Sequence, residues 1–279
     1  MNSTAKAFAP GNISCVFKIC YNKNPRWMGS CGIGFTVNEG AVAEVSKSEK
    51  NEIFFSGKKI NFPTVRTAIE KLTKEEIRVI IKSKLPLGCG FGLSGASALA
   101  TAYALNKLLN LNKTTKELAL IAHIAEVENK TGLGDVVNQF FGGFCIKFEP
   151  SSHFIIEKLQ FNNTNVYCRY FSQISTKSVI TNPKLKNKIN KAASKSLNEV
   201  KKLIKTHKNI ILGDIIKISK VFSLESGLLK QKNTTKIIEN IEKNNGNAGM
   251  IMLGNSVFSD IPFTKSIKLK ISDKAAYVF

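Results

Sequence analysis

The chain lacks any arrangement of cysteine and histidine that is typical of a structural metal site. Its 279 residues include three histidines and six cysteines, with no CxxC pair among them. The cysteines are Cys15, Cys20, Cys31, Cys89, Cys145 and Cys168. Because zinc sites need such ligands at short, regular spacings, we expect reduced and mostly buried thiols, as in a cytoplasmic protein.

Long hydrophobic runs are also absent. No apolar stretch approaches the roughly 18 residues that a membrane-spanning helix needs. The first part of the chain also lacks a basic segment followed by a long apolar one. We therefore expect no membrane partner and a cytoplasmic location.

Acidic residues are scarce relative to basic ones. The chain has 20 Asp and Glu against 41 Lys and Arg, a net charge of +21. Such an excess can indicate nucleic-acid binding. Much of it, however, lies between Lys184 and Lys208, where apolar residues recur at helical spacing. We interpret this interval as the solvated face of a helix and expect no nucleic-acid partner, with DNA or RNA binding as the alternative.

The most informative stretch is a glycine-rich loop that leads into a long helix. Residues 85–109 read LPLGCGFGLSGASALATAYALNKLL, with glycines at Gly88, Gly90, Gly92 and Gly95. Glycines at this density allow several backbone N–H groups to point toward one spot, and the start of a helix adds unpaired donors and partial positive charge. The stretch therefore predicts a phosphate-binding loop that precedes a buried helix.

Other interpretations of this loop are weaker or remain open. A P-loop is excluded because it requires a lysine at its end, and this loop has none. Residues 90–95 match GxGxxG, but no clean strand precedes them and no acidic residue follows about twenty positions later, as dinucleotide binding requires. From the loop alone, a turn that only allows close helix packing remains possible.

The stretch PLGCGFGLSGASAL resembles the second motif of the GHMP kinases, P-x-x-x-G-L-G-S-S-A-A, and within that group it is most similar to the archaeal pantoate kinases. Further motifs that resemble this family lie at residues 9–13, 29–35, 122–143 and 250–258. The resemblance implies ATP and Mg²⁺ as cofactors and pantoate as the substrate, with formation of 4-phosphopantoate. Homoserine or mevalonate is the alternative acceptor.

The resemblance also implies an α+β fold of two domains with the active cleft between them. The N-terminal domain would be α+β with a left-handed βαβ crossover, and the C-terminal domain would be ferredoxin-like. A change in composition after Phe148 places the boundary near residue 150, which gives domains 1–150 and 151–279. A homodimer is also expected.

Asp135 has two interpretations. From local sequence it is a helix N-cap, because it follows Gly134 and precedes VVNQFF. The resemblance instead makes it the catalytic residue that accepts or orients the proton of the acceptor hydroxyl.

The resemblance assigns the remaining site residues as well. The ATP phosphates would lie against Pro86, Gly88, Gly90, Gly92, Ser94 and Gly95. Ser94 and Glu126 would bind Mg²⁺, with Glu128 as the alternative to Glu126. Ser94 is the only hydroxyl where the family has two, because Leu93 replaces the first serine.

Substrate contacts are expected from three residues. Ser30 lies in a G-S-x-G-x-G segment, and His123 lies one helical turn before Glu126. Lys147, on a predicted strand, could supply a cation for a substrate carboxylate. From local sequence alone, it could equally be a solvated strand end.

Local patterns predict several further elements. Pro10-Gly11 should interrupt the first strand, and Asn38-Glu39-Gly40 should form a hairpin turn. Helices are expected at about 184–205 and 209–229, and one that begins near Thr114 or Thr115.

Overall fold

The computed structural model describes residues 4–206 and 209–279, and these residues form an α+β fold with two sheets. The strands are β1 (Thr4–Cys20), β2 (Gly29–Lys47), β3 (Glu52–Phe55), β4 (Lys58–Lys59), β5 (Ile77–Lys82), β6 (Phe144–Lys147), β7 (Glu157–Leu159), β8 (Asn165–Gln173), β9 (Ala248–Met250), β10 (Gly254–Ser259), β11 (Ile267–Lys270) and β12 (Tyr277–Val278). The helices are α1 (Pro63–Glu70), α2 (Leu93–Leu109), α3 (Thr115–Asn129), α4 (Asp135–Phe141), α5 (Thr176–Ile180), α6 (Pro183–Thr206), α7 (Leu212–Glu225) and α8 (Lys232–Lys243).

The larger sheet is built around β1 and β2, which pair along most of their length. Its order is β12-β1-β2-β5-β3-β4, and β6 and β7 extend it from the first half of β2. Helix α2 packs across β1 and β2 and is covered by α1 and α3. Its residues Ala96, Ala98, Ala100 and Ala102 are fully buried, which confirms the prediction of a buried helix after the glycine loop.

The predicted interruptions of the first two strands are wrong. Both strands continue through these positions, and three residues of β2 between Thr36 and Gly40 oppose the single Gly11 of β1. This β-bulge absorbs the turn-forming residues within the sheet. Gly40 is needed there, because a Cβ atom on it would lie 2.1 Å from the carbonyl oxygen of Ala9.

The smaller sheet has the order β11-β8-β10-β9 and is antiparallel throughout. The first and third of its strands along the chain are central and the second and fourth are at the edges, as in a ferredoxin-like sheet. Its helices all lie in the connection between β8 and β9. The predicted lysine-rich helix is α6, which buries an apolar face that includes Ile189, Leu197 and Val200. Lys208 lies outside the described residues.

The two halves of the chain share one hydrophobic core. The buried cluster extends from Ala5 in β1 to Ile271 beyond β11. The larger sheet also takes β7 and β12 from the second half of the chain. The division at residue 150 therefore stays a prediction.

Three smaller predictions have outcomes in the structure. All six cysteines are free thiols, and only Cys20 among them is not buried. Thr114 caps helix α3 through a capping box with Glu117, as expected. In the described part of the chain, no helix combines the length and the apolarity that crossing a membrane would require.

The bulge between β1 and β2 provides a test of the fold. Gly40→Ala should lower the free energy of unfolding by roughly 1 to 3 kcal/mol, because the new methyl group would overlap the backbone of β1. Urea denaturation measures this change. The control is Glu39→Ala, which removes only the surface ion pair with Lys84 and should cost less than about 1 kcal/mol. Equal losses in the two variants would contradict this account of the bulge.

Candidate active site

A deep cavity lies where the glycine loop meets both sheets. Its walls come from β1, β2, the loop before α2, the turn between α3 and α4, β6, α5 and the segment before β10. Residues that line it include Ser14, Phe17, Ser30, Gly32, Gly88, Gly90, Gly92, Ser94, Glu126, Lys130, Asp135, Lys147, Lys177 and Leu253.

The glycine loop has a backbone conformation that favours glycine at three positions. Gly88, Gly90 and Gly92 have φ values of +77°, +89° and +61°. A side chain at these positions would be strained. A side chain on Gly92 would also be tightly packed, because a Cβ atom would lie 3.2 Å from Cγ of Asp135 and 3.1 Å from Cβ of Asn12.

The carbonyl groups of the loop are bound from both halves of the chain. From the N-terminal half, Asn12 N–H donates to Phe91 O at 2.9 Å and Gln139 Nε2 donates to Gly92 O at 2.8 Å. From the C-terminal half, Ser256 Oγ donates to Cys89 O at 2.8 Å. These bonds turn the acceptor atoms of the loop toward the protein.

The amide groups of the loop remain unpaired. Among the described residues, no amide from Gly88 to Gly95 donates a hydrogen bond, and the first that does is Ala96 N–H, to Gly92 O at 3.1 Å. Free amides at the start of a helix form an anion-binding site. Of the predicted phosphate contacts, Gly88, Gly90, Gly92 and Ser94 line the cavity, whereas Pro86 and Gly95 are not among its lining residues.

The motif at residues 250–258 packs directly on this loop. Gly254 touches it so closely that a Cβ atom would lie 2.1 Å from Cys89 O. In return, a Cβ atom on Gly90 would lie 3.0 Å from Met252 O. Backbone contact at this distance explains why both segments carry glycine at these positions.

Glu126 is a buried carboxylate without a partner. The residue is 0% exposed, and neither Oε1 nor Oε2 has a hydrogen-bond partner among the described residues. Its burial and the nearby charge of Asp135 raise its pKa well above the usual value. Gly132 makes room for the carboxylate, since a Cβ atom there would lie 2.5 Å from Oε2. Glu128 is different, because it is exposed and pairs with Lys71 at 2.9 Å.

Glu126 and Ser94 fit the requirements of a Mg²⁺ ion. Ser94 Oγ donates its proton to Thr64 Oγ1 at 3.0 Å, so the lone pairs of Oγ remain available for a cation. The part of the chain that the structure describes contains no cluster of three or more His, Cys, Asp or Glu residues that could hold a metal by itself. Mg²⁺ at phosphate-transfer sites needs no such cluster, since it uses one or two carboxylates together with substrate phosphates.

Asp135 is the first residue of α4, but its side chain does not cap that helix. The N-cap position is Gly134, and no side-chain capping bond is formed. Instead, Asp135 Oδ1 accepts hydrogen bonds from Asn12 Nδ2 at 2.7 Å and from Ser14 Oγ at 3.1 Å. Burial raises the pKa of Asp135, while the charge of Lys147 and these two hydrogen bonds oppose the shift. The helix-cap interpretation is therefore wrong.

Two of the three predicted substrate contacts reach the cavity. Ser30 lines it and donates its backbone N–H to Ser151 Oγ at 2.9 Å. Lys147 also lines it, although the residue is only 4% exposed. Its Nζ donates to Asn138 Oδ1 and to Gly134 O. Burial lowers the pKa of Lys147, and the charge of Asp135 counteracts that effect.

The structure does not bring His123 to the cavity. It is fully buried in α3 and is not among the lining residues. Its Nε2 lies 2.9 Å from Met28 O, and burial lowers its pKa to about 4. This environment is typical of a neutral core histidine, and the geometry does not support direct contact with a substrate.

Sequence reasoning missed several residues of the site. Asn138 and Gln139 follow Asp135 by three and four positions, so helical spacing alone could have placed them beside it. Asn12 lies in the motif at residues 9–13, directly after Pro10-Gly11. That position indicated a role in the site less clearly than the helical spacing did for Asn138 and Gln139. No local pattern indicated Lys130 or Lys177, which also line the cavity.

Comparisons with known proteins identify relatives of this chain. A family model described as GHMP kinases N terminal domain matches residues 63–143. The chain is 37% identical to the pantoate kinase of Methanocaldococcus jannaschii over 90% of each chain. It is 29% identical to the pantoate kinase of Methanospirillum hungatei over 91% of this chain and 86% of that one.

A solved structure described as a phosphotransferase related to the CoA biosynthesis pathway has the same fold. Its TM-score is 0.84 at 24% sequence identity, with 99% of this chain and 98% of that chain covered. The family model and the relatives that match over most of its length show that the chain belongs to the GHMP kinase family.

Proposed function

We propose that this protein transfers the γ-phosphoryl group of ATP to the primary hydroxyl of pantoate and forms 4-phosphopantoate for coenzyme A synthesis. The observation that carries the proposal is the convergence of unpaired loop amides, an unpartnered carboxylate at Glu126 and the carboxylate of Asp135 on one cavity. The relatives that are pantoate kinases and match over most of the chain support the choice of acceptor.

Phosphoryl transfer requires positioning and charge neutralisation more than covalent chemistry. The loop amides would bind the phosphate oxygens, with Lys130 and Lys177 as further cations on the cavity wall. Ser94 and Glu126 would hold Mg²⁺, which when bound neutralises phosphate charge. The unpartnered oxygens of Glu126 support this role, because a buried carboxylate without a cation is costly.

Asp135 would accept or orient the proton of the acceptor hydroxyl. Its Oδ1 already accepts two hydrogen bonds, which leaves Oδ2 for the substrate. Lys147 lowers the cost of a charged carboxylate in this buried position.

The cavity also suits the remaining groups of pantoate. The ammonium group of Lys147 has three N–H donors, of which two are used, so one remains for a carboxylate. Val16, Phe17 and Ile33 provide an apolar wall for the two methyl groups. Ser30 adds a hydroxyl beside them.

A cytoplasmic location, a homodimer and the absence of a nucleic-acid partner are also part of the proposal. The amphipathic burial pattern of α6 supports the last point, because its lysines cover the solvated face of a packed helix.

Asp135→Asn should lower kcat by about 10²- to 10⁴-fold, since the amide cannot accept the hydroxyl proton. The fold and the dissociation constant of ATP should change little, because asparagine has nearly the same shape and its Oδ1 can still accept the hydrogen bonds from Asn12 and Ser14. Steady-state kinetics, thermal unfolding and ATP titration measure the three quantities. Turnover near the wild-type rate would rule out a proton-accepting role for Asp135.

Glu126→Gln should raise the Mg²⁺ concentration required for half-maximal activity by about tenfold or more, because a charged ligand is lost. The melting temperature should stay the same or rise, since the variant no longer buries an unpartnered carboxylate. Glu128→Gln on the same helix is the matched control and should leave the Mg²⁺ dependence unchanged. A similar Mg²⁺ requirement in both variants would remove Glu126 from the metal site.

An acceptor panel tests the substrate. With ATP and Mg²⁺, pantoate should give a kcat/KM at least about tenfold above that for homoserine, mevalonate or pantothenate, because each of these alters the hydroxyl, methyl or carboxylate group that the cavity would contact. Faster turnover of another acid would replace pantoate as the substrate. Tight, steeply salt-dependent retention on DNA or RNA would instead favour the nucleic-acid alternative.

A further inference from the structure

An unbroken chain of hydrogen bonds connects Lys147 with Asp135 through two buried asparagines. Lys147 Nζ donates to Asn138 Oδ1, and Asn138 Nδ2 donates to Asn12 Oδ1 at 2.8 Å. Asn12 Nδ2 then donates to Asp135 Oδ1 at 2.7 Å. Asn12 and Asn138 are 0% and 1% exposed, and neither lines the cavity.

The two ends of this chain determine its direction. A lysine ammonium group can only donate hydrogen bonds, so Asn138 must turn its oxygen toward Lys147 and its NH₂ group toward Asn12. An ionised carboxylate can only accept, so Asn12 must turn its NH₂ group toward Asp135. Both amides satisfy both requirements in one orientation. A flipped amide at either position would place two oxygens or two NH₂ groups against each other.

Asn12 connects this chain to the glycine loop. Its backbone N–H donates to Phe91 O at 2.9 Å, while its side chain donates to Asp135. Asn12 therefore holds the Asp135 carboxylate at a fixed position relative to the backbone of the glycine loop. Gly34 makes space for the hydrogen bond from Asn138 to Asn12, because a Cβ atom there would lie 3.0 Å from Asn138 Nδ2.

The asparagines also keep Lys147 and Asp135 apart. Across the described ranges, these two residues form no ion pair, although both line the same cavity. In a direct ion pair, Lys147 would occupy the oxygen of Asp135 that the acceptor hydroxyl needs. Asp135 would likewise occupy the N–H of Lys147 that the substrate carboxylate needs. With the asparagines between them, Asp135 Oδ2 and the third N–H of Lys147 both stay available to a substrate.

We propose that Asn138 and Asn12 are positioning residues that act in series: they hold the Asp135 carboxylate in its orientation against the glycine loop and keep it from pairing with Lys147. The proposal rests on the proposed kinase function, because its effect is on the hydroxyl that Asp135 contacts.

A double-mutant cycle tests this proposal. Asn12→Ala and Asn138→Ala should each lower kcat by about 100-fold, the effect of a misplaced catalytic group. The double variant should also lose about 100-fold in kcat, because the second substitution removes nothing further once the series of hydrogen bonds is interrupted. The dissociation constant of ATP should stay within about threefold of the wild-type value.

Val137→Ala is the matched control on the same helix. Val137 is fully buried and takes no part in the hydrogen bonds from Lys147 to Asp135. Its truncation should therefore lower the melting temperature while kcat stays near the wild-type value. If either alanine variant fails to fold, Asn12→Ser and Asn138→Ser replace the pair, since each removes the amide donor and leaves a small polar side chain.

The outcomes separate this inference from the proposed function. Losses in kcat that multiply to about 10,000-fold in the double variant, or an equal loss in Val137→Ala, would overturn the series arrangement even when the wild type phosphorylates pantoate. If the wild type uses another alcohol acceptor, the cycle is measured with that acceptor, and only the substrate assignment changes. A wild type inactive with every acceptor would overturn both.

Discussion

The site depends on how the carbonyl groups of the glycine loop are bound. Each peptide unit has its N–H and C=O on opposite sides, so a loop whose carbonyls accept bonds from the protein leaves its amides for something else. Here the donors come from β1, α4 and β10. The loop is therefore held by both halves of the chain, and its residues line a cavity that neither half forms alone.

Buried charge is the second constraint on this cavity. Glu126, Asp135 and Lys147 lie around one space with little access to water, and isolated charges in such a place cost several kcal/mol each. Asp135 and Lys147 offset that cost through the amides of Asn12 and Asn138. Within residues 4–206 and 209–279, Glu126 has no such partner. A protein can tolerate this cost when a bound cation neutralises the charge of the carboxylate.

Local sequence was a good guide where a residue's role depends on its neighbours along the chain. The glycine loop, the buried helix after it, the cap at Thr114 and the amphipathic helix α6 all follow from short-range patterns. The same reasoning failed at Asn38-Glu39-Gly40, because a turn signal also suits a bulge when a second strand pairs on both sides of it. Local sequence also could not tell whether His123 is a core residue or a substrate contact, since the same face of a helix can point into the core or into a cavity.

The sequence by itself determined the glycine loop and the buried helix after it, because glycine content and apolar spacing restrict the backbone directly. The α+β fold and the expected site residues came from the resemblance of its motifs to the GHMP kinases. Only the tertiary structure decided which of two nearby glutamates is buried without a partner, and that Asp135 turns toward Asn12 instead of capping its helix. The orientation of Asp135 depends on hydrogen bonds between residues more than 120 positions apart, such as Asn12 with Asp135 and Asn138. No local pattern encodes which partner such side chains meet, because the partner is supplied by the packing of β1 against α4.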